Sequence, residues 1–192
     1  MVLVPGANHT LSVEDITKQE ALFDSCDILL TQLEVPLSVV EKAVELAYSK
    51  GKTVILNPAP AQVLSPKLLK MVHYLTPNEH ELATISREKV ESIDDAIQAS
   101  HQVISLGVEH VITTLGAKGS IHVTQDSHDL VHSEPMQPVD TTGAGDAYNA
   151  GLATGLLTGL SVLDTMHLAT KVSRKVIMKE GAQPSIPTME EI

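Results

Sequence analysis

Aromatic residues are scarce in this chain of 192 residues. It has no tryptophan and one phenylalanine, and aromatic side chains make up 2% of the sequence. Proteins that bind single-stranded nucleic acid stack the bases on aromatic rings, so this composition disfavours that class. Hydrophobic residues nevertheless make up 43% of the sequence. Because so few of them are aromatic, the core must be built from valine, leucine, isoleucine and alanine.

Positive charge is also in short supply. The chain has 13 lysine and arginine residues against 24 aspartate and glutamate residues, which gives a formal net charge of -11. A surface this acidic repels phosphate backbones and anionic membranes, so neither nucleic acid nor a membrane is expected as a partner. A local anion site made from backbone N–H groups remains compatible with this charge.

Cys26 is the single cysteine, so a disulfide within the chain is impossible. We expect a buried, small apolar side chain at Cys26 rather than a nucleophile. A chain without disulfides suits a reducing compartment. No hydrophobic run reaches transmembrane length, and the first residues lack the basic flank of a signal peptide. The expected location is therefore the cytoplasm, with the nucleus as a second compartment.

Short apolar runs alternate with helical patterns along the chain. The predicted strands are 27–31, 53–56, 73–76, 111–115 and 119–124. The predicted helices are 36–50, 66–71, 79–85, 93–106, 143–158 and 162–178. Residues 2–8 are predicted to end a strand and lead into a helix, and residues 126–138 to form a loop beside an edge strand. This rhythm predicts an α/β protein with a mostly parallel central sheet, a Rossmann-like three-layer α/β/α fold in one domain.

The segment from Asp140 to Asp146 carries the sharpest chemical signal, with the sequence Asp-Thr-Thr-Gly-Ala-Gly-Asp. Its two glycines allow a tight turn in which backbone N–H groups converge, and a helix begins there. This arrangement suits an anion hole for a phosphoryl group, with Asp146 placed to accept a proton from an attacking hydroxyl. An ordinary helix start with a stabilising aspartate explains the residues equally well.

Six further motifs follow in order along the chain. They are Gly6-Ala7-Asn8, Gln32-Leu33-Glu34-Val35-Pro36, Asn57-Pro58-Ala59-Pro60-Ala61, Thr76-Pro77-Asn78-Glu79-His80-Glu81, Thr114-Leu115-Gly116-Ala117-Lys118-Gly119 and Gly181-Ala182-Gln183-Pro184-Ser185. Together with the glycine-rich segment, they resemble the ribokinase-like carbohydrate kinases, also called the phosphofructokinase-B-type family. The resemblance covers nearly the whole chain and implies the ribokinase-like version of the predicted fold.

The resemblance also implies a role for individual residues. Asp146 would be the catalytic base and, with Glu34, a sugar ligand, while Gly143, Ala144 and Gly145 would form the anion hole. The implied nucleotide-binding residues are Asn78, Thr114, Gly116, Gly119 and Gly145. Glu81 would hold Mg²⁺, directly or through water. The implied K⁺ site consists of Asp140, Thr142, Val176, Lys179, Gly181 and Ser185.

The residues alone leave simpler interpretations open for three of these positions. Glu34 could be an exposed loop residue. Asn78 and Glu81 have the spacing of a helix capping box, which is compatible with a role near the metal. Thr114 and Gly116 could simply form a hairpin turn. No Gly-x-x-x-x-Gly-Lys-Ser/Thr loop is present, so the P-loop class is disfavoured.

The reaction that the resemblance implies is ATP-dependent phosphorylation of D-ribose at its 5-hydroxyl. The motifs at residues 32–34 and 57–60 favour ribose over deoxyribose, fructose or a nucleoside. A different class of function also stays open, in which the chain is non-catalytic and binds nucleotide or pairs with a full-length kinase.

The chain departs from the family pattern in two places. Family members carry an N-terminal part with a sugar-binding loop and a β-lid that closes the site and forms the dimer. We therefore expect residues 1–192 to be the C-terminal nucleotide-binding part of a single, incomplete domain, lacking the N-terminal strands and the lid, with dimers only in a full-length form. Lys171, Arg174 and Lys175 stand where the family has small residues, and they could bind phosphates, face solvent or obstruct the pocket.

The histidines show no metal-like cluster in the sequence. We expect a solvated surface position for His110, His122, His128 and His132. His167 is interpreted as structural, although the resemblance places its helix near the adenine.

Overall fold

The computed structural model describes residues 6–192 and shows an α/β protein. The chain forms two compact units. The first unit contains the chain up to Thr113 together with Val123–His128, and the second contains Thr114–His122 and Asp129–Ile192. Within residues 6–192, none of the helices has the length and apolar character needed to cross a membrane.

Six strands form one sheet in the order β1-β2-β3-β4-β5-β6. They are β1 (Ile28–Thr31), β2 (Thr53–Leu56), β3 (Tyr74–Leu75), β4 (His110–Thr114), β5 (Ser120–Val123) and β6 (His128–Val131). Strands β1 to β4 pair in parallel, for example Leu30 with Ile55 and Leu56 with Leu75. The predicted mostly parallel sheet is therefore confirmed.

Seven α-helices lie in the described part of the chain. They are α1 (Val13–Lys18), α2 (Leu37–Ser49), α3 (Pro66–Leu69), α4 (Glu79–Ser86), α5 (Ile93–Ile104), α6 (Ala144–Leu157) and α7 (Val162–Val176). The last six were predicted from the sequence to within a few residues. Before α1, Gly6–Thr10 forms a 3₁₀ turn, and the predicted strand end before Gly6 lies outside the described residues.

The first unit owes its core to parallel strands that are covered on both faces. Val54, Ile55 and Leu56 are each 0% exposed, which explains why β2 reads as a continuous apolar run. On α2, Val40 and Val44 are one turn apart and both are buried. The 3.6-residue period of the helix thus places its apolar stripe inward.

The second unit is held together by close packing of α6 against α7. A Cβ atom added at Gly151 would lie 2.8 Å from the Cα atom of Ala169. One added at Gly155 would lie 2.7 Å from Oγ1 of Thr165. Glycine at these two positions therefore lets the helix backbones approach more closely than any side chain would allow.

The structure corrects the prediction of a loop over residues 126–138, because β6 occupies His128–Val131. Only Val131 of this strand is buried, while His128 and Asp129 are exposed. An edge strand with one buried residue lacks the apolar alternation by which strands are recognised in a sequence.

The predicted burial of three side chains, two histidines and the cysteine, was also wrong. His122 is buried because every residue of β5 is covered, and its Nδ1 lies 3.8 Å from Oδ2 of Asp129. His110 is half-buried because its ring stacks on Tyr74, with 4.5 Å between ring centroids. Burial lowers the pKa of His110. Cys26, expected to be buried, is only half-buried after the exposed turn Glu20–Asp24.

Candidate functional site

In the first unit, a row of hydrogen bonds joins the carboxyl ends of β1, β2 and β3. Gln32 Nε2 donates to Oδ1 of Asn57 at 2.9 Å, and Asn57 Nδ2 donates to the carbonyl of Thr76 at 2.7 Å. Asn57 itself is buried. These bonds fix the segments that follow the three strands, where ligands bind in open α/β folds. Glu34 lies in the first of these segments and is exposed.

The start of α4 is closed by Asn78 and Glu81. Asn78 Oδ1 accepts the backbone N–H of Glu81 at 2.9 Å, and Glu81 Oε2 accepts the backbone N–H of Asn78 at 2.8 Å. Asn78 Nδ2 donates to the other carboxylate oxygen of Glu81 at 2.9 Å. The capping box considered for these residues is therefore present.

Glu81 is buried, and its carboxyl keeps oxygen lone pairs that a cation or its bound water could contact. Burial raises its pKa, and the hydrogen bonds from Asn78 oppose this only in part. Each of its oxygens accepts one N–H group and keeps a second lone pair. The side chain therefore fits contact with Mg²⁺ or a Mg²⁺-bound water, which remains a prediction.

In the second unit, Asp140 fastens the glycine-rich segment to the chain beyond α7. Its Oδ1 accepts the backbone N–H of Thr142 at 2.9 Å, and its Oδ2 accepts that of Gly181 at 3.0 Å. These hydrogen bonds lower the pKa of Asp140, and those from Thr142 have the largest effect. The carbonyl of Ile177 accepts the N–H groups of both Val139 and Asp140, at 2.8 and 3.3 Å.

Gly143 turns the chain into α6. It caps the helix with φ 79°, a left-handed conformation that favours glycine. The first N–H groups of a helix have no carbonyl partner within it, and the helix dipole makes this end attractive to anions. A Cβ atom added at Gly145 would meet nothing within 4 Å, so the first turn of α6 has open space beside it. Asp146 lies in this first turn and is exposed.

Three side chains that the sequence reasoning missed support this turn. Ser173 Oγ donates to the carbonyl of Ala144 at 3.0 Å, and Asn149 Nδ2 donates to that of Gly145 at 2.9 Å. Tyr148 OH donates to Ser120 Oγ at 2.8 Å, and burial raises the Tyr148 pKa to about 12, so the phenol stays protonated. Tyr148 and Asn149 directly follow the motif and could have been singled out for that reason.

The structure brings together part of the predicted K⁺ site. Hydrogen bonds join Asp140 to Thr142 and Gly181. The carbonyl of Val176 accepts the N–H of Lys179 at 3.1 Å, and the buried Ser185 donates its hydroxyl to the carbonyl of Ala182 at 2.6 Å. Carboxylate and backbone oxygens of this kind fit a monovalent cation, and its binding there stays a prediction. Within residues 6–192, no group of three or more His, Cys, Asp or Glu side chains forms a metal cluster.

The predicted nucleotide residues Gly116 and Gly119 lie in the turn between β4 and β5, and Thr114 is the last residue of β4. The turn is closed by a hydrogen bond from the N–H of Leu115 to the carbonyl of Gly119 at 2.8 Å. Gly116 has φ 57° and nothing within 4 Å of an added Cβ atom, so its backbone is accessible to a ligand. A Cβ atom at Gly119 would overlap the carbonyl oxygen of Val131, which makes glycine necessary there.

Of the cations that depart from the family pattern, Arg174 has defined partners. It donates to the carbonyl of Glu134 at 3.2 Å and to its carboxylate at 3.1 Å. Lys171 and Lys175 are exposed, as is His167. Exposure of these two lysines is compatible with solvent contact and with phosphate binding, two of the three roles left open for the cations of α7.

The fold and the glycine-rich start of α6 define a class of protein, the carbohydrate kinases. Residues 1–189 match the pfkB family of carbohydrate kinases, and the chain belongs to this family. The ribokinase of Haemophilus influenzae is 39% identical over 191 residues, which cover 100% of this chain and 62% of that protein. The deoxyribokinase of Salmonella typhi is 31% identical over 192 residues, which cover 63% of its length.

Solved structures give the same result for the fold. The Arabidopsis thaliana ribokinase complexed with ribose and ATP superposes with a TM-score of 0.91 at 29% identity, over 99% of this chain and 62% of that one. The Thermotoga maritima ribokinase gives a TM-score of 0.89 at 31% identity, over 99% and 62%. The chain thus has the ribokinase-like α/β fold and spans about 62% of the length of these relatives.

Proposed function

We propose that the protein transfers a phosphoryl group from ATP to the 5-hydroxyl of D-ribose, giving ribose 5-phosphate and ADP. The observation that carries the proposal is the start of α6, where Gly143 turns the chain and Gly145 leaves open space beside Asp146. The relatives support it, since one is a ribokinase from Haemophilus influenzae and another was solved with ribose and ATP.

In this proposal Asp146 accepts the proton of the attacking hydroxyl while the ribose oxygen bonds to the γ-phosphorus, and the bond from that phosphorus to the bridging oxygen breaks so that ADP leaves. The N–H groups from Gly143 to Asp146 and the dipole of α6 stabilise the negative charge on the transferred group. Ser173 and Asn149 hold the carbonyls of Ala144 and Gly145 away from it. Mg²⁺, when bound, neutralises charge on the nucleotide phosphates, and Glu81 is the residue proposed to hold it or its water.

The remaining predicted residues take their roles as part of the same proposal. Glu34 binds sugar hydroxyls. Asn78, Thr114, Gly116 and Gly119 bind the nucleotide. A K⁺ ion held near Asp140 and Gly181 would stiffen the segment that precedes α6.

The proposal extends to the setting in which the reaction takes place. Residues 1–192 would be the nucleotide-binding part of one kinase domain, acting in the cytoplasm. Dimers are proposed only for a form that carries the lid of the family.

A second substrate is favoured by one specific comparison, the deoxyribokinase of Salmonella typhi at 31% identity. Deoxyribose differs from ribose by the 2-hydroxyl. A site that hydrogen-bonds this group rejects the analogue that lacks it, because its polar partners are then left unpaired. Comparing turnover of the two sugars in one assay decides between them.

The test of the catalytic assignment is the Asp146→Asn substitution. Asparagine keeps the shape of the side chain but cannot accept the proton, so we expect turnover to fall about 10²–10⁴-fold. ADP release is measured with ribose, ATP, Mg²⁺ and K⁺, both in the chain alone and in the chain joined to the part of the Haemophilus influenzae ribokinase that the match leaves out.

Asp126→Asn, in the exposed turn between β5 and β6, is the matched control and should leave turnover unchanged. An Asp146→Asn variant within a few-fold of the parent would refute the role of Asp146. Nucleotide binding without turnover in either form would favour the non-catalytic alternative.

A further inference from the structure

A cavity of about 440 Å³ lies beside the end of α7 in the second unit. Four of its lining side chains are cationic, Lys171, Arg174, Lys175 and Lys179, and one is acidic, Glu191. This balance is the reverse of that of the chain, whose net charge is -11. The cavity is therefore a local concentration of positive charge on an acidic protein.

The cavity is separate from the anion hole at the start of α6. Lys171, Arg174 and Lys175 follow each other at helical spacing i, i+3 and i+4 and share one face of α7. Ser173, which reaches Ala144, points about 160° away from Lys171 and from Lys175, since it is two residues from each and each residue turns a helix by about 100°. The cationic face of α7 thus lies away from the turn that we assign to phosphoryl transfer.

Two of the four cations already have carboxylate partners. Arg174 pairs with Glu134 at 3.1 Å, and Lys179 pairs with Glu191 at 3.7 Å. Within residues 6–192, the ammonium groups of Lys171 and Lys175 donate no hydrogen bond and form no close ion pair. Two ammonium groups one helical turn apart therefore remain available on one side of the cavity.

Glu191 shows that this region favours negative charge. Its pKa is lowered first by the hydrogen bond from the backbone of Thr188, and then by the nearby charges of Lys179 and Lys175. An anion that enters the cavity meets the same cations.

We propose that this cavity binds a small organic phosphate. Its doubly charged phosphate group would lie between Lys171 and Lys175, and its apolar part would pack against Met136 and Met178, which also line the cavity. The volume falls in the range of about 300–1,000 Å³ that is usual for small-molecule sites. Methionine is flexible and adapts to differently shaped ligands. The inference is independent of the proposed kinase activity.

The first experiment locates a ligand by NMR of ¹³C-methyl methionine in the full chain. Phenyl phosphate is the probe, because it combines a dianion with an apolar ring. We expect the methyl signals of Met136 and Met178 to shift during the titration. Those of Met71 and of the buried Met166 should stay in place.

The second experiment removes the two available cations. Lys171→Ala combined with Lys175→Ala should weaken binding of phenyl phosphate about tenfold or more, since bonds to charged groups are lost. Lys67→Ala combined with Lys89→Ala is the matched control, because it makes the same change in net charge at two exposed lysines of the first unit. Circular dichroism verifies that both variants fold. Glu191→Gln should strengthen binding several-fold, because it removes the internal competitor.

Three results would overturn the proposal. The first is a titration in which neither Met136 nor Met178 shifts. The second is unchanged affinity in the Lys171 and Lys175 variant, which would place the phosphate at the anion hole of α6 instead. The third is inorganic phosphate binding as tightly as phenyl phosphate, which would rule out an organic ligand. A readout that needs no variant is the salt dependence, since affinity must fall as ionic strength rises.

Discussion

Asp140 is the residue on which the geometry of the glycine-rich segment depends most directly. Both of its carboxylate oxygens are used, one by Thr142 and one by Gly181. Hydrogen bonds to the charged form lower the pKa of this carboxyl below its ordinary value of 3.8. Its stabilising effect is therefore complete above that value and is lost only as the pH falls through the lowered pKa of the folded protein.

We predict that Asp140→Asn loosens the segment between β6 and α6 at neutral pH. An asparagine carbonyl can accept one of the two N–H groups, but its amide nitrogen cannot accept the other. Hydrogen exchange should accelerate at the amides of Thr142 and Gly181.

Asp15→Asn is the control, since Asp15 accepts the N–H of Ser12 in the other unit. It should change exchange only near α1. Unaltered exchange at both Thr142 and Gly181 in the Asp140 variant would contradict the role of this carboxylate as a fastener.

At the scale of elements, three helices of the first unit, α1, α4 and α5, begin with a capping box, and the last two can be compared directly. Asn78 and Glu81 cap α4, and Ser92 and Asp95 cap α5. Only the α4 cap follows a strand of the sheet at its ligand-binding end. Comparing the two caps therefore distinguishes an effect on stability, expected for both, from an effect on ligand binding, expected for the α4 cap alone.

We predict that Asn78→Ala and Ser92→Ala each lower the free energy of unfolding by about 1 kcal/mol. Only Asn78→Ala should also weaken ATP binding, by about tenfold, because it alone removes a proposed nucleotide contact. Urea titration and calorimetry with Mg-ATP provide the two measurements. Equal ATP affinity in the two variants would mean that Asn78 only caps α4 and does not bind the nucleotide.

The glycines of α6 also differ in what they do. Gly151→Ala would press a methyl group against the backbone of Ala169, so we predict a loss of about 1–3 kcal/mol in stability. Gly145→Ala meets no atom of the protein and should leave stability unchanged or slightly higher, while it obstructs the anion hole and lowers phosphoryl transfer. Thermal unfolding and the ADP-release assay on both variants test this contrast. If Gly145→Ala lowered stability but kept its activity, Gly145 would be a packing residue and its assignment to the anion hole would be wrong.

These elements show how far the sequence can be read. β2 was predicted with its observed bounds because an apolar run between turn residues marks a buried parallel strand. β6 was missed because one buried residue leaves no pattern. The site residues were singled out through motifs, whereas Ser173 acts across 29 positions of sequence on Ala144, and no local pattern reports such a contact.

At the scale of the whole molecule, the chain spans about 62% of its relatives' length. Catalysis by positioning needs both reactants held in register, and a misplacement of about 1 Å can cost about 100-fold in rate. We predict that residues 1–192 alone bind Mg-ATP but turn over ribose at least about 100-fold more slowly than the Haemophilus influenzae ribokinase in the same assay. Robust turnover by the isolated chain, or ribose binding without ATP binding, would contradict the prediction that this part of the protein binds the nucleotide but does not position ribose by itself.

The carbonyl of Ile177 connects two parts of the second unit. It accepts hydrogen bonds from the N–H groups of both Val139 and Asp140. These two bonds join the end of α7 to the segment of chain that leads into α6. The next residues, Met178 and Lys179, line the cationic cavity. A ligand that displaced this last turn would therefore also strain the two hydrogen bonds that hold Val139 and Asp140. If a molecule bound in the cavity and a phosphoryl group at α6 both shift these bonds, each changes the affinity of the other by the same free energy.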